Sequence, residues 1–128
     1  MINGYLSILV TFKEKINKVS ILGDSAGGNL ICSLCNYLII NELKVPNKIS
    51  LFYPAFAINP KLFTNSSLYS FFDVILNYFY AEKVIREYVP KIFKYDNIFI
   101  SPFYTPNHIL RKYPEILILT GSKDCLIS

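Results

Sequence analysis

Residues 21–30 read ILGDSAGGNL, three glycines, an alanine and a serine set between two apolar runs. In a chain that is 52% hydrophobic, such a cluster of small side chains marks a place where backbone must approach something closely. The run before it, KVSILG (residues 18–23), is short, β-branched and ended by glycine, the pattern of a buried strand. The run after it (residues 26–43) is apolar nearly all round, with Leu30, Ile31, Leu34, Leu38 and Ile39, and predicts a well-buried helix. Ser25 therefore stands where a strand turns tightly into a helix.

GDSAG fits the pattern G-x-S-x-G in the strand–turn–helix setting that gives it chemical meaning. A turn this tight strains the backbone and thrusts the seryl hydroxyl out from the C-terminal edge of a sheet. Gly23 and Gly27 are expected there because a β-carbon at either position would collide with neighbouring backbone. The helix opening at Ala26 aims N–H groups, and the positive end of its dipole, at the same spot. A negatively charged oxygen is what such an arrangement suits.

Outward from the motif, residues 3–17 predict an amphipathic helix, with Leu6, Leu9, Val10 and Ile16 near helical spacing and lysines opposite. ISLFYP (residues 49–54) predicts a second buried strand and EILILTG (residues 115–121) a third. Between them, residues 55–97 loosen into a polar loop and one or two aromatic-rich helices within 68–89, ending at Pro90. SPFYTP (residues 101–106) is a proline-bracketed loop. Strands without a polar face, alternating with helices, indicate an α/β fold. The expected architecture is a parallel sheet of about three strands flanked by helices, with a helical, aromatic-rich insertion, in one domain over residues 1–128.

Composition excludes several classes. The net charge of +4 comes from scattered lysines that do not interleave with aromatics, so no nucleic-acid partner is expected. Cys32, Cys35 and Cys125 are an odd set with no disulfide framework. The C-x-x-C pair lies within an apolar helical run without accompanying histidines, so it reads as two buried thiols and no metal is expected. No stretch reaches the ~18–20 apolar residues of a spanning helix, and no signal peptide is evident. A cytoplasmic location is the expectation.

The longer string GDSAGGNL resembles the hormone-sensitive-lipase-type (fold-3) branch of the α/β-hydrolase superfamily, its carboxylesterases and lipases. SLFYPAF, then ISPFYTPNHILRKYPEILILTGSKDCL, continue that resemblance in order, covering residues 18–126. It implies that Ser25 is the nucleophile, that Ala26 supplies one oxyanion N–H, and that Asp124 is the acid orienting a catalytic histidine. It also implies an elbow built from Gly23, Asp24, Gly27 and Gly28, no cofactor, and a small-molecule ester as substrate. The aromatic residues suggest a lipophilic acyl ester. Taken alone, Asp124 is an ordinary loop aspartate.

Two family parts have no counterpart. No H-G-G-G loop stands between Met1 and Ser20, and no histidine follows Asp124. His108, the one histidine, precedes the acid, so it is expected on the surface or at a helix start. The resemblance thus implies part of a longer esterase, inactive by itself, whose three strands leave an uncovered apolar face. The alternative it allows is a non-catalytic, receptor-like protein that binds a small molecule.

Overall fold

The strand before the motif and the helix after it join with no intervening residue. In the computed structural model, which describes residues 1–15, 17–59, 78–89 and 91–121, the order opens with α1 (Ile2–Thr11), β1 (Ser20–Asp24), α2 (Ser25–Ile40) and β2 (Lys48–Phe52). α3 (Tyr78–Tyr88), a single 3-10 turn (Pro102–Tyr104), α4 (Asn107–Leu110) and β3 (Glu115–Leu119) complete it. Ile16, residues 60–77 with the expected polar loop and the first part of the helical stretch within 68–89, and Asp124 with Cys125 lie outside the described residues.

The three strands are parallel in the order β1-β2-β3. Their register puts Ile21, Ile49 and Ile116 in one row and Asp24, Phe52 and Leu119 in another. This is the expected α/β arrangement. One sheet face packs on α2: Ile31, Cys32 and Cys35 meet Ile49 and Leu51, with Ile21 and Tyr113 beside them. α1 packs beside α2 near β1, where Tyr5 meets Leu34 and Leu38 with Val19 and Ile21 alongside, and its hydroxyl donates to the Lys44 carbonyl at 2.9 Å. The opposite sheet face carries Leu22, 68% exposed, and Leu117 and Leu119. All five residues of β3 are exposed.

α1 stops at Thr11, short of the expected reach to residue 17. Val10 points to solvent and residues 12–15 are exposed, so nothing apolar holds a further turn. α2 departs from expectation in the other direction. Leu30 is 43% exposed, whereas Asn29 and Asn36 are buried at 3% and 0%. Cys32 and Cys35 are buried free thiols; burial pushes both up to about 12, Cys35 adding to the effect at Cys32. Among the described residues no helix is long and apolar enough to cross a membrane.

Candidate active site

Ser25 is one of three non-glycine residues with positive φ among the described residues, at 47°. A left-handed backbone costs a residue with a β-carbon ~1–2 kcal/mol, so its surroundings must impose it. They do so by crowding. A β-carbon on Gly23 would stand 2.9 Å from the Gly27 carbon, 3.0 Å from its oxygen and 2.6 Å from Ile31 Cδ1. The first turn of α2 therefore lies flat against the end of β1, and only glycine at 23 leaves room for it. No glycine of the motif has a positive φ; what they provide is space.

The expected collision at Gly27 is not found. A β-carbon there would meet only Asp24 Oδ1, at 3.7 Å, an ordinary contact. The second crowded glycine is Gly28, whose β-carbon would approach Pro54 Cβ to 2.7 Å and Cα to 3.2 Å. Pro54 belongs to the bend after β2, so the reason is a neighbour distant in sequence.

That bend braces the elbow. Ala55 N–H donates to the Ser25 carbonyl at 3.2 Å, and Tyr53 N–H donates to the Leu119 carbonyl at 2.7 Å. Tyr53 is itself at φ 36°, and its hydroxyl makes a long contact, 3.4 Å, with Asp24 Oδ2. Asp24 is the N-cap of α2 but makes no side-chain cap hydrogen bond. The first-turn N–H groups, Ala26 among them, lack intrahelical acceptors by construction. Ser25 is half-buried and Ala26 exposed, so an oxygen arriving beside Ser25 can meet them.

The sheet sets the remaining distance. Asp24 and Leu119 share a row with β2 between them, so the ends of β1 and β3 are ~10 Å apart, two inter-strand spacings. The chain that leads to Asp124 departs from the same sheet edge as Ser25. His108 is exposed in α4, a helix-start surface histidine as expected. A groove of about 350 Å³ lies along α2 between Met1, Leu30, Tyr37 and Phe99, and none of its lining residues belongs to the elbow. Among the described residues no cluster of His, Cys, Asp or Glu has the makings of a metal site.

Sequence reasoning missed three polar residues of α2. Asn29, Ser33 and Asn36 fall on one stripe and donate to the carbonyls of Ile100, Phe99 and Ile98 at 2.8, 2.7 and 2.9 Å. These carbonyls come from a turn closed by Ile100 and Ser101 N–H on the Asn97 oxygen, which aims them all one way. Asn36 also donates to Thr105 Oγ1 at 2.8 Å and accepts from the Tyr113 hydroxyl at 2.7 Å. Burial, with the nearby thiols, raises the Tyr113 phenol above its ordinary range. Polar side chains amid a helix's apolar ones were the available signal.

A strand running into a helix through a strained serine, on a parallel sheet, is the setting in which the G-x-S-x-G pattern occurs in α/β-hydrolase folds. The chain belongs to the α/β-hydrolase fold family, whose profile matches residues 7–128. Among similar solved structures, the hormone-sensitive-lipase homologue EstE7 from a metagenome library is 26% identical (TM-score 0.84), covering 98% of this chain and 41% of that one. The esterase of the archaeon Pyrobaculum calidifontis is 22% identical (TM-score 0.82), covering 98% of this chain and 42% of that one. Carboxyl esterase 2 of the fungus Tuber melanosporum is 22% identical (TM-score 0.79), covering 95% and 41%. No curated protein matches the chain. It thus spans about two fifths of the length of the solved structures it resembles.

Proposed function

We propose that this chain is the elbow-bearing part of a carboxylic ester hydrolase with Ser25 as nucleophile. The observation that carries the proposal is the positive φ of Ser25 at the strand-to-helix junction. Strain of that kind, ~1–3 kcal/mol, persists where function needs it. In the proposed reaction Ser25 Oγ bonds to the acyl carbon while its proton passes to a histidine from outside this chain. The carbonyl oxygen gathers negative charge beside the Ala26 N–H, which stabilises it most in the transition state. The C–O bond to the alcohol breaks, the histidine returns the proton to the departing oxygen, and an acyl-serine remains. Water, deprotonated by the same histidine, then releases the acid.

Asp124 would hold the histidine's other nitrogen and favour its charged form. Its support is the family order of serine before acid, and the shared edge from which its segment departs. The aromatic composition suits a lipophilic acyl ester. By itself the chain is expected to turn over no ester, because loss of the base costs on the order of 10⁴–10⁶ in rate.

A fluorophosphonate tests the proposal on the whole protein. The expected result is one adduct on the peptide containing Ser25, abolished by Ser25→Ala. A folded protein whose Ser25 stays unlabelled contradicts it, and tight small-molecule binding by that inert protein would favour the receptor-like alternative.

A further inference from the structure

The amide of Asn29 uses both its hydrogens on backbone carbonyls: one bond reaches Ala55 at 2.7 Å, the other Ile100 at 2.8 Å. Ala55 is also the residue whose N–H donates to the Ser25 carbonyl. A chain of two hydrogen bonds therefore runs from a helix side chain, through one peptide residue, to the backbone of the strained serine. Asn29 is 3% exposed, so its bonds are shielded from competing water.

We propose that Asn29 is a positioning residue, fixing the backbone of Ser25 through Ala55 while tying the elbow to the 97–101 turn. Three features set it apart from a general packing role. First, Ser25 keeps its left-handed φ only while its surroundings hold it, and the Ala55 N–H is the bond made from outside α2 to the serine's own peptide. Second, Ala55 follows Pro54, the residue against which Gly28 is crowded. Asn29 thus draws the bend towards the helix while Gly28 sets how close it can come. Third, the Ile100 bond reaches the segment that continues, through Ser101, Thr105 and Tyr113, into β3. Ser101 Oγ accepts from Ile58 N–H at 3.0 Å, and Phe103 N–H donates to the Phe56 carbonyl at 3.0 Å. The bend after β2 and the turn before β3 therefore move together, with Asn29 as their shared anchor on the nucleophile helix.

Asn36 is the natural control. It lies on the same stripe, is equally buried, and holds the same turn through Ile98 and Thr105, but none of its bonds reaches the bend after β2. Removing it loosens the fold without touching the elbow.

The geometric half of the proposal stands without the ester-hydrolase reading; its catalytic consequence rests on that reading. Amide hydrogen exchange on this chain, in trimethylamine N-oxide to favour the compact state, measures the first. In Asn29→Ala the protection of the Ala55 N–H, relative to buried α2 amides such as Leu38, should fall at least about tenfold by local opening. In Asn36→Ala that ratio should stay as in the wild type. Fluorophosphonate labelling of the whole protein measures the second: Asn29→Ala should slow labelling of Ser25 by about 10²-fold at matched folded fraction, and Asn36→Ala should not. Equal ratios in the two variants overturn the proposal, as does a wild-type chain whose Ala55 amide exchanges freely. If wild-type Ser25 takes no label but the exchange ratios behave as stated, the hydrolase reading fails and the positioning role of Asn29 survives.

Discussion

Three glycines lie within six residues of sequence, yet the structure gives them unequal work, and alanine substitution should expose the difference. At Gly23 the new methyl group would press on the Gly27 carbon and oxygen at 2.9 and 3.0 Å, and on Ile31 Cδ1 at 2.6 Å. The isoleucine tip can rotate away. The two backbone atoms cannot move without displacing the first turn of α2. Overpacking of this kind costs ~1–3 kcal/mol, and backbone obstruction places Gly23→Ala at about 2–3 kcal/mol. At Gly27 the methyl group finds ordinary contact at 3.7 Å, and alanine in a helix is favoured over glycine by up to ~1 kcal/mol. The two variants should therefore shift stability in opposite directions, about 3 kcal/mol apart. Urea unfolding followed by far-UV circular dichroism reads this directly. With a slope of ~2 kcal/mol/M the midpoints differ by about 1.5 M. Equal destabilisation by both substitutions, or a greater loss at Gly27, would refute the crowding argument.

Asn36→Ala removes the donor to the part-buried Ile98 carbonyl and to Thr105 Oγ1, while the Tyr113 hydroxyl keeps the Cys32 carbonyl at 3.0 Å, so a loss of ~1–3 kcal/mol in the same urea assay is expected. The thiols of Cys32 and Cys35 are held above their ordinary value of 9.0 in the fold. Their stabilising effect is complete below that value and lost as pH rises towards about 12, at up to ~1.4 kcal/mol per pH unit per thiol. Cys32→Ala with Cys35→Ala should flatten the alkaline limb of stability against pH. Lys48 bonds Glu115 at 2.8 Å and holds its carboxyl below the usual carboxylate range. Stability from this pair is present above that range and lost as pH falls through the lowered value. Lys48→Met should remove that acid dependence at low salt and change little at ~1 M salt, where screening acts within ~3 Å.

What could be read from the sequence followed from local pattern. A β-branched run ended by glycine, then a helical run, specified β1, α2 and the strained serine between them, because strand and helix periods are set by near neighbours. EILILTG gave β3 for the same reason. What could not be read depended on partners far along the chain. Asn36 meets Ile98 across 62 positions and Asn29 meets Ile100 across 71, so nothing near them in the sequence marks these two polar residues of an apolar helix as buried anchors. The choice between Gly27 and Gly28 as the crowded residue turns on Pro54, which only sheet pairing brings near. Solvent-facing Leu22 and Leu117 read as buried because their strands match an apolar pattern whose second face nothing covers among the described residues. The elbow half of the site was legible; Asp124 lies outside the described residues and its role rests on the family resemblance.

The central claim is that Ser25 presents its hydroxyl beside the N–H groups opening α2. A crystal structure of the whole protein carrying a phosphonate on Ser25 measures it most directly. The expected result is a left-handed Ser25 and a phosphoryl oxygen ~2.7–3.1 Å from the Ala26 nitrogen. An adduct oxygen turned away from Ala26, or a Ser25 with ordinary negative φ, would contradict it.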